Sequence, residues 1–249
     1  MNIRYKTPAE IEKLRKAGRV VAEILDLISE NVRPGVTTRE LDDLAARHFK
    51  KRKAKAAFLG YQGFPANICV SIDNEVVHGI PGDRELEEGQ IVSVDVGSIV
   101  GGYYGDAAQS FAVGEITNGA GRLLEVTEKA LHKGIEACVV GNRLGDLSAA
   151  IQRYAEGEGF SVVRDLVGHG IGTRMHEEPQ VPNFGEPGTG IELREGLVLA
   201  IEPMINAGRY QVRMLSDGWT IVTDDGSLSA HFEHTVAVTS GGPEILTLG

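Results

Sequence analysis

Apolar residues in the first half of the chain recur at helical spacing and then change to strand spacing. Residues 7–10 (Thr-Pro-Ala-Glu) have the pattern of a capping box with proline at the first helical position, and an amphipathic run follows until Pro34-Gly35. A second run of the same kind begins after Thr37. The first half therefore predicts two helices followed by strands rich in β-branched residues. These strands are predicted at 68–72, 91–96 and 103–113.

The second half repeats this order of elements. Helical spacing predicts helices near 120–139 and 144–157, and strands and loops are expected after Gly159. Leu86–Asp95 also matches Leu193–Glu202 at an offset of 107 residues, and each copy is an apolar strand that ends in a carboxylate. A chance match over ten residues is the alternative explanation.

We interpret the match as an internal duplication. It predicts two α/β halves, roughly 10–115 and 118–240, that pair about a pseudo-twofold axis within a single domain spanning 1–249. The predicted fold class is therefore α+β.

Composition and charge exclude several classes of protein. A chain of 249 residues that is 42% hydrophobic can bury a sizeable core. The formal net charge is −10, and the basic patch at Lys50–Lys55 is interpreted as a solvated helix end, so nucleic acid is not expected as a direct partner. Cys69 and Cys138 form neither a disulfide framework nor a metal-binding cysteine pair. Without a signal-peptide or membrane-span pattern, a soluble cytoplasmic protein that does not bind membranes is expected.

Four acidic residues lie in or beside apolar strand runs, where an ionised carboxylate is expensive to bury unless it is paired or binds a metal ion. Asp95 and Glu202 end the two repeated strands, Asp106 follows a Gly-Gly turn, and Glu233 precedes a β-branched run. Each acid alone is better explained by a salt bridge or a strand cap. Four together, two of them related by the repeat, favour a shared metal site.

The segment Gly168–Gly172 (Gly-His-Gly-Ile-Gly) adds a nitrogen donor, His169, because its glycines leave the imidazole uncrowded. A lone histidine in such a loop is more often a structural hydrogen-bonding residue. Together with the four carboxylates, however, it suits two neighbouring divalent ions such as Mn, Fe or Co, with Zn also acceptable. Two ions about 3.5–4 Å apart can activate a shared water molecule for hydrolysis.

Other hydrolytic motifs find no support in the sequence. His176–Gln180 begins like the zinc-binding His-Glu-x-x-His helix, but its last position is Gln and Pro179 would break the helix. The chain contains no Gly-x-Ser-x-Gly elbow and no P-loop. Two further histidines, His78 and His176, stand out beside the proposed ligands.

Jointly, these segments resemble the type I methionine aminopeptidases over nearly the whole chain. The resemblance implies the pita-bread fold, in which two related halves hold a dinuclear metal site. The segments that carry it are Asn74–Pro81, Asp95–Asp106, Gly168–Gly172 with His176–Pro179, Ile201–Met204 and Ser229–Thr235.

The resemblance also implies roles for the candidate ligands. Asp106 and Glu233 would bridge two divalent ions (Mn, Fe, Co or Zn), Asp95 would bind one ion, and His169 with Glu202 would bind the other. Glu202 would also carry the proton of the attacking water. A monovalent cation is a further candidate ligand.

The same resemblance identifies candidate substrate contacts. His176 would stabilise the oxyanion, and His78 would hydrogen-bond near the scissile amide. A methionine pocket is expected from Tyr61, Phe64, Cys69, Met175 and Trp219.

Three positions depart from the family pattern. Phe58 stands where some members have Cys, Met175 stands where some have Phe, and His231 stands where Gln is frequent. The first two would change the pocket, and His231 shares strand parity with Glu233.

The expected function is metal-dependent removal of the N-terminal methionine from nascent polypeptides whose second residue is small. One alternative is a relative acting on Xaa-Pro bonds, which shares the five ligands but usually carries an additional N-terminal domain. The other is a non-catalytic binding protein that kept the fold, although such relatives lose metal ligands. We expect a monomer, and the Lys50–Lys55 patch is the candidate for ribosome contact.

One prediction concerns the protein as its own substrate. Because Asn2 is larger than the small second residues that the family's rule requires, we expect Met1 to be retained. Intact-mass measurement of the protein purified from its own cells tests this, and quantitative loss of Met1 would contradict the rule as applied here.

Overall fold

The computed structural model describes residues 3–249. Met1 and Asn2, and with them the prediction that Met1 is retained, lie outside the described residues. Within the described part of the chain, no helix combines the length and apolar character needed to cross a membrane.

Four α-helices form where the hydrophobic pattern predicts them. Thr7 and Thr37 cap the first two, and in each capping box the carboxylate three residues later, of Glu10 or Glu40, accepts a hydrogen bond from the backbone N–H of the capping threonine. The third helix begins two residues earlier than predicted because Thr117 caps its first turn. The helices are α1 (Pro8–Asn31), α2 (Thr38–Arg52), α3 (Asn118–Ala137) and α4 (Leu144–Gly157).

The strands lie in two blocks, before α3 and after α4. A short 3-10 helix, Tyr61–Gly63, interrupts the first block. The first-block strands are β1 (Lys55–Ala56), β2 (Cys69–Ile72), β3 (Glu75–Val77), β4 (Ile91–Val100) and β5 (Tyr103–Ala112). The second-block strands are β6 (Ser161–Val162), β7 (Gly168–Gly170), β8 (Glu177–Val181), β9 (Val198–Ile201), β10 (Met204–Asn206), β11 (Val212–Met214), β12 (Ile221–Thr223), β13 (Ser229–His231), β14 (His234–Thr239) and β15 (Gly242–Ile245).

The strands pair into four sheets. In the first half, β4 lies between β1 and β2 and also forms the long antiparallel hairpin with β5. In the second half, the largest sheet has the order β15-β14-β9-β7-β8, and a smaller one has the order β13-β10-β6. The remaining sheet joins the two blocks, because β3 pairs with β12, which also pairs with β11.

Each half has its own layer of helices over a sheet. The apolar faces of α1 and α2 pack on alternate residues of β4, with Val92, Val94 and Val96 fully buried beneath them. The second cluster joins α3 and α4 to β6, β9 and β10. Because strand side chains alternate between faces, this packing leaves Ser93 and Asp95 on the opposite face of β4.

The two halves meet through the backbone beside the candidate ligands. Glu233 and Ala108 exchange both backbone hydrogen bonds, at 2.9 and 3.3 Å. The Thr235 hydroxyl accepts from the Asp106 N–H at 3.0 Å and donates to the Asp106 carbonyl at 2.8 Å. The late segment of the second half is therefore tied directly to β5, and this pairing brings Asp106 and Glu233 together.

Close backbone contact between α1 and β5 generates a stability prediction. A Cβ on Gly105 would lie 2.6 Å from the backbone nitrogen of Gly18. We therefore expect Gly105→Ala to destabilise the fold by about 1–3 kcal/mol through overpacking, measured by thermal melting or denaturant titration.

The matched control is Gly121→Ala in α3, where the nearest atom to a new Cβ is 3.8 Å away. It should be neutral or stabilise by about 0.5–1 kcal/mol, because glycine is unfavourable inside a helix. Equal melting temperatures for the wild type and the Gly105 variant would contradict the packing described.

Candidate active site

The structure brings all twelve predicted site residues to one cavity. Its volume is about 180 Å³, and one side of its lining is polar while the other is aromatic and apolar. The predicted residues in its lining are Tyr61, Phe64, Cys69, His78, Asp95, Asp106, His169, Met175, His176, Glu202, Trp219 and Glu233.

The β4–β5 hairpin places the two aspartates. In its register Asp95 pairs with Ala108, and Asp106 pairs with Gly97, two residues along β4 from Asp95. Both carboxylates therefore lie on the same face of the hairpin as diagonal neighbours. Cys69 of β2 pairs with Asp95 from the other side, which brings its thiol to the same face. Burial raises the pKa of that thiol well above its ordinary value, with the neighbouring carboxylates adding to the shift, so it stays protonated.

The second half contributes the other three candidate ligands. His169 lies in the middle of β7, Glu202 directly follows β9, and Glu233 occupies the short link between β13 and β14. In the pairing of β7 with β9, His169 lies opposite Ala200, two residues before Glu202. Asp95 lies within β4, which continues to Val100, whereas Glu202 directly follows β9, so only Glu202 ends its strand; both carboxylates line the cavity. The internal repeat itself stays a prediction.

The polar atoms of these residues lie close together, but the distances between them are longer than those of hydrogen bonds. His169 Nε2 lies 3.7 Å from Asp106 Oδ2 and 3.6 Å from Glu202 Oε1. Donor atoms of Asp106, His169 and Glu233 all lie within 4.8 Å of one another, and all three residues are buried. His169 Nδ1 is 3.0 Å from the Gly170 carbonyl, which selects the tautomer with Nδ1–H as donor and leaves the Nε2 lone pair facing the carboxylates.

Several buried carboxylate oxygens have no hydrogen-bond partner within residues 3–249. They are Asp95 Oδ1, Asp106 Oδ1 and Glu233 Oε1. Burial raises the pKa of all four acidic groups, and repulsion between neighbouring carboxylates raises those of Asp106, Glu202 and Glu233 further. A divalent cation would supply the missing partner and offset the repulsion, so the residues present fit a metal site.

The histidines around the cluster are neutral at physiological pH. Burial lowers the pKa of His169 to about 3, with His176 nearby adding to the effect. Burial also lowers the pKa of His78, and again His176 contributes. A neutral imidazole offers a lone pair to a metal ion or one N–H to a substrate, so these groups are suited to coordination and to hydrogen bonding.

His176 and His78 flank the carboxylate cluster. The His176 ring packs edge to face against His169 with 4.3 Å between centroids, and its Nδ1 lies 2.6 Å from the Tyr61 hydroxyl. When Tyr61 donates this hydrogen bond, His176 carries its proton on Nε2. His78 has a φ of 60°, a left-handed conformation that is unfavourable for a residue with a Cβ and that is found most often at functional sites.

The apolar side of the cavity is an aromatic pocket. The rings of Phe64 and Trp219 pack edge to face at 5.1 Å, and Trp219 also packs against His78 at 6.4 Å. Met175 and Cys69 complete the wall and are buried with Phe64. Thioether and thiol groups against aromatic rings suit an unbranched, polarisable side chain.

Three residues extend the predicted set. Phe58 and Gln62 also line the cavity. Phe58 is one of the departures from the family pattern, whereas no sequence signal singles out Gln62, which has a left-handed φ of 49°. For His231, strand parity with Glu233 left open an approach to the site or an edge cap; the residue is 2% exposed, and its Nε2 lies 4.0 Å from both Glu202 Oε2 and Glu233 Oε2.

A second, more open cleft adjoins the first. Its volume is about 570 Å³, and the two cavities share His78, His169, His176 and Glu202. The candidate metal centre therefore lies between a small pocket with an aromatic wall and a larger polar cleft.

Comparison with known proteins agrees with this description. Residues 12–240 match metallopeptidase family M24. A methionine aminopeptidase from Clostridium perfringens is 54% identical over 243 residues, covering 98% of both chains, and methionine aminopeptidase 1 from Bacillus subtilis is 50% identical over 97% of this chain and 98% of its own. The crystal structure of methionine aminopeptidase from Thermotoga maritima superimposes with a TM-score of 0.98 at 49% identity and covers all of both chains.

The chain belongs to metallopeptidase family M24 and has the pita-bread fold of that family. Within the family, its similarity is to the methionine aminopeptidases, which confirms the resemblance stated from the sequence. A prolidase from Pyrococcus furiosus has the same fold at a TM-score of 0.77, but it is only 22% identical and this chain covers 65% of its length.

The buried carboxylates generate a prediction about pH and metal removal. Burial raises the pKa of Asp95 from 3.8 to about 7, so between these values the folded protein binds more protons than the unfolded chain and loses stability as pH rises. In chelator, Asp95→Asn should therefore be more stable than the wild type at about pH 8, by up to about 4 kcal/mol. Thermal melts across pH 4–8 measure the difference, which should vanish toward the acid end.

Addition of Mn²⁺ is the matched condition. It should stabilise the wild type at about pH 8 far more than Asp95→Asn, because binding to the folded state alone raises stability. If Asp95→Asn in chelator were more stable than the wild type by the same amount at both ends of the pH range, the raised pKa assigned to the Asp95 carboxyl group would be refuted.

Proposed function

We propose that this protein removes the N-terminal methionine from polypeptides whose second residue is small. The proposal rests on one observation. A cluster of carboxylates and an imidazole lies in the same cavity as a pocket lined by a thioether and aromatic rings. The named relatives at about 50% identity over the full chain support the same activity. The pocket would take the methionine side chain, and the acidic cluster would attract the substrate's ammonium group.

The ligand set suits two divalent ions held by Asp95, Asp106, His169, Glu202 and Glu233. Oxygen-rich ligation with one imidazole favours Mn, Fe or Co, with Zn also acceptable. Bound ions would lower the pKa of a shared water molecule and polarise the scissile carbonyl group.

The chain's own residues would handle the protons and the developing charge. Glu202, which lines both cavities, would accept a proton from the attacking water and deliver it to the departing amine. His176, hydrogen-bonded through Nδ1 to Tyr61, would donate from Nε2 to the carbonyl oxygen as its charge increases. His78, neutral and held beside Trp219, would hydrogen-bond near the scissile amide.

The larger cleft would accept the rest of the polypeptide. It opens from the residues shared with the methionine pocket, so a chain bound by its first residue in the small pocket would continue into it. This arrangement favours an exopeptidase, because the small pocket offers room for one residue.

The alternative activities have weaker support. Cleavage of Xaa-Pro bonds is supported by fold likeness alone, at about one fifth sequence identity. A non-catalytic role would not need the buried carboxylates, which destabilise the metal-free fold. The ribosome contact through Lys50–Lys55, the monomeric state, the monovalent cation and the cytoplasmic location stay predictions.

Peptide hydrolysis tests the proposal directly. Chelated enzyme resupplied with Mn, Fe, Co or Zn should release methionine from Met-Ala-Ser and leave Ala-Pro-Ser intact. Cleavage of only Ala-Pro-Ser would move the activity to Xaa-Pro bonds, and no cleavage with any metal would favour a binding role.

His176→Ala is the variant that separates chemistry from folding in the same assay. Loss of one donor to the developing oxyanion should lower kcat by about 100- to 1,000-fold, with the melting temperature little changed because the ring is solvent-exposed. An unchanged rate would contradict the role given to His176.

A further inference from the structure

The loop of residues 172–176 carries two cavity residues but has few backbone contacts of its own. It connects β7 to β8 and presents Met175 to the aromatic pocket and His176 to both cavities. Its first residue, Gly172, accepts a hydrogen bond from the Tyr104 N–H at 2.9 Å. Within the loop, the Gly172 N–H donates to the Arg174 carbonyl at 3.3 Å, and a carboxylate at the end of the loop accepts from the two residues between Gly172 and Met175.

That carboxylate belongs to Glu177, which directly follows His176. Its Oε1 accepts hydrogen bonds from the backbone N–H groups of Thr173 at 2.9 Å and Arg174 at 3.2 Å. The side chain folds back over the loop and is only 2% exposed. A single carboxylate therefore satisfies two backbone donors of the segment immediately before His176.

The other oxygen of Glu177 is bound from the far end of the sequence. Lys6 Nζ donates to Glu177 Oε2 at 2.9 Å, and the lysine side chain is 5% exposed. The lysine is itself held, because Nζ also donates to the Arg4 carbonyl at 3.0 Å and its backbone N–H donates to Gly196. Arg4 in turn donates from Nη1 to the Thr173 hydroxyl at 3.1 Å.

The packing around this ion pair leaves no space for another side chain. A Cβ on Gly172 would lie 2.7 Å from both Lys6 Cε and Glu177 Oε1. A buried ion pair adds little net stability compared with apolar side chains of the same size, but it tolerates few alternative geometries. The Lys6–Glu177 pair therefore constrains where the loop lies more than it stabilises the fold.

We propose that Lys6 and Glu177 are positioning residues for His176, and that their buried ion pair holds loop 172–176 in the geometry required for catalysis. The N-terminal segment, remote in sequence from every candidate ligand, thereby becomes a functional part of the active site. The expected effect on kcat rests on the proposed function, whereas the expected effect on the geometry of loop 172–176 does not.

The test replaces the pair by apolar side chains in the Mn²⁺-loaded enzyme. Lys6→Met combined with Glu177→Leu leaves no unpaired buried charge, so the fold should persist, while the N–H groups of Thr173 and Arg174 lose their acceptor. We expect kcat on Met-Ala-Ser to fall by about 10- to 100-fold with KM changed by less than about threefold. Hydrogen exchange of amides in loop 172–176 should become faster.

Two controls distinguish positioning from a general loss of charge. Lys6→Arg keeps a cation that can bind Glu177 but not its shape, so kcat and the exchange protection should lie closer to wild-type values than those of the apolar double variant. Arg39→Met with Asp83→Leu removes an ion pair of similar length, 2.8 Å, whose side chains are 57% and 88% exposed. It should change neither kcat nor exchange in the loop, because exposed pairs contribute little.

An apolar double variant with wild-type kcat and wild-type exchange in loop 172–176 would overturn the inference. If that variant fails to fold, Lys6→Gln serves instead, and unchanged kcat and exchange in it would overturn the inference equally. A wild-type enzyme that is inactive on Met-Ala-Ser would refute the proposed function. Because hydrogen exchange is measured without substrate, its result would still decide whether the ion pair holds the loop.

Discussion

Confinement of four carboxylates in one buried cavity is the constraint on which the rest of this structure depends. Asp106 and Glu233 are 3% and 2% exposed, and their nearest polar neighbours are other carboxylates and neutral histidines. Such an arrangement is unfavourable without a cation, because burial and mutual repulsion both oppose ionisation. The remaining architecture brings these groups together, and a metal ion would complete their interactions.

Two features of the fold bring the four carboxylates together. The β4–β5 hairpin places Asp95 and Asp106 on one face without any long-range contact. The second half supplies the matching groups, and the reciprocal backbone hydrogen bonds between Glu233 and Ala108 join the halves at the point where the ligands meet. Because these bonds are made by the backbone, the relative placement of the halves does not depend on the charged side chains themselves.

Around this centre, the cavity has an apolar wall and a polar side. The edge-to-face aromatic pair of Phe64 and Trp219 forms a wall suited to a thioether, while His176 and His78 lie between that wall and the open cleft. The hydrogen bond from Tyr61 to His176 connects the two surfaces, since Tyr61 belongs to the pocket and His176 to the polar side. The apolar wall and the orientation of the imidazole are thus physically linked.

Local pattern was sufficient for much of this architecture. Helix caps at Thr7 and Thr37 and the alternation within β4 depend on short-range physics, and the helices and the face of Asp95 were predicted from them. The match between Leu86–Asp95 and Leu193–Glu202 predicted the paired halves, because a repeated segment adopts the same fold twice. Strand parity between His231 and Glu233 left open whether His231 approaches the site, and the structure places its Nε2 4.0 Å from Glu233 Oε2.

Contacts between distant segments required the tertiary structure. Nothing near Lys6 in the sequence indicates that it binds Glu177, and no pattern indicates that Tyr61 hydrogen-bonds to His176. The sequence by itself determined which residue types are available and on which face of each element they lie, because side-chain periodicity is a local property of the backbone. Only the tertiary structure decided which of those faces meet and at what distance, because packing of the two halves and closure of the loops join residues that are more than a hundred positions apart.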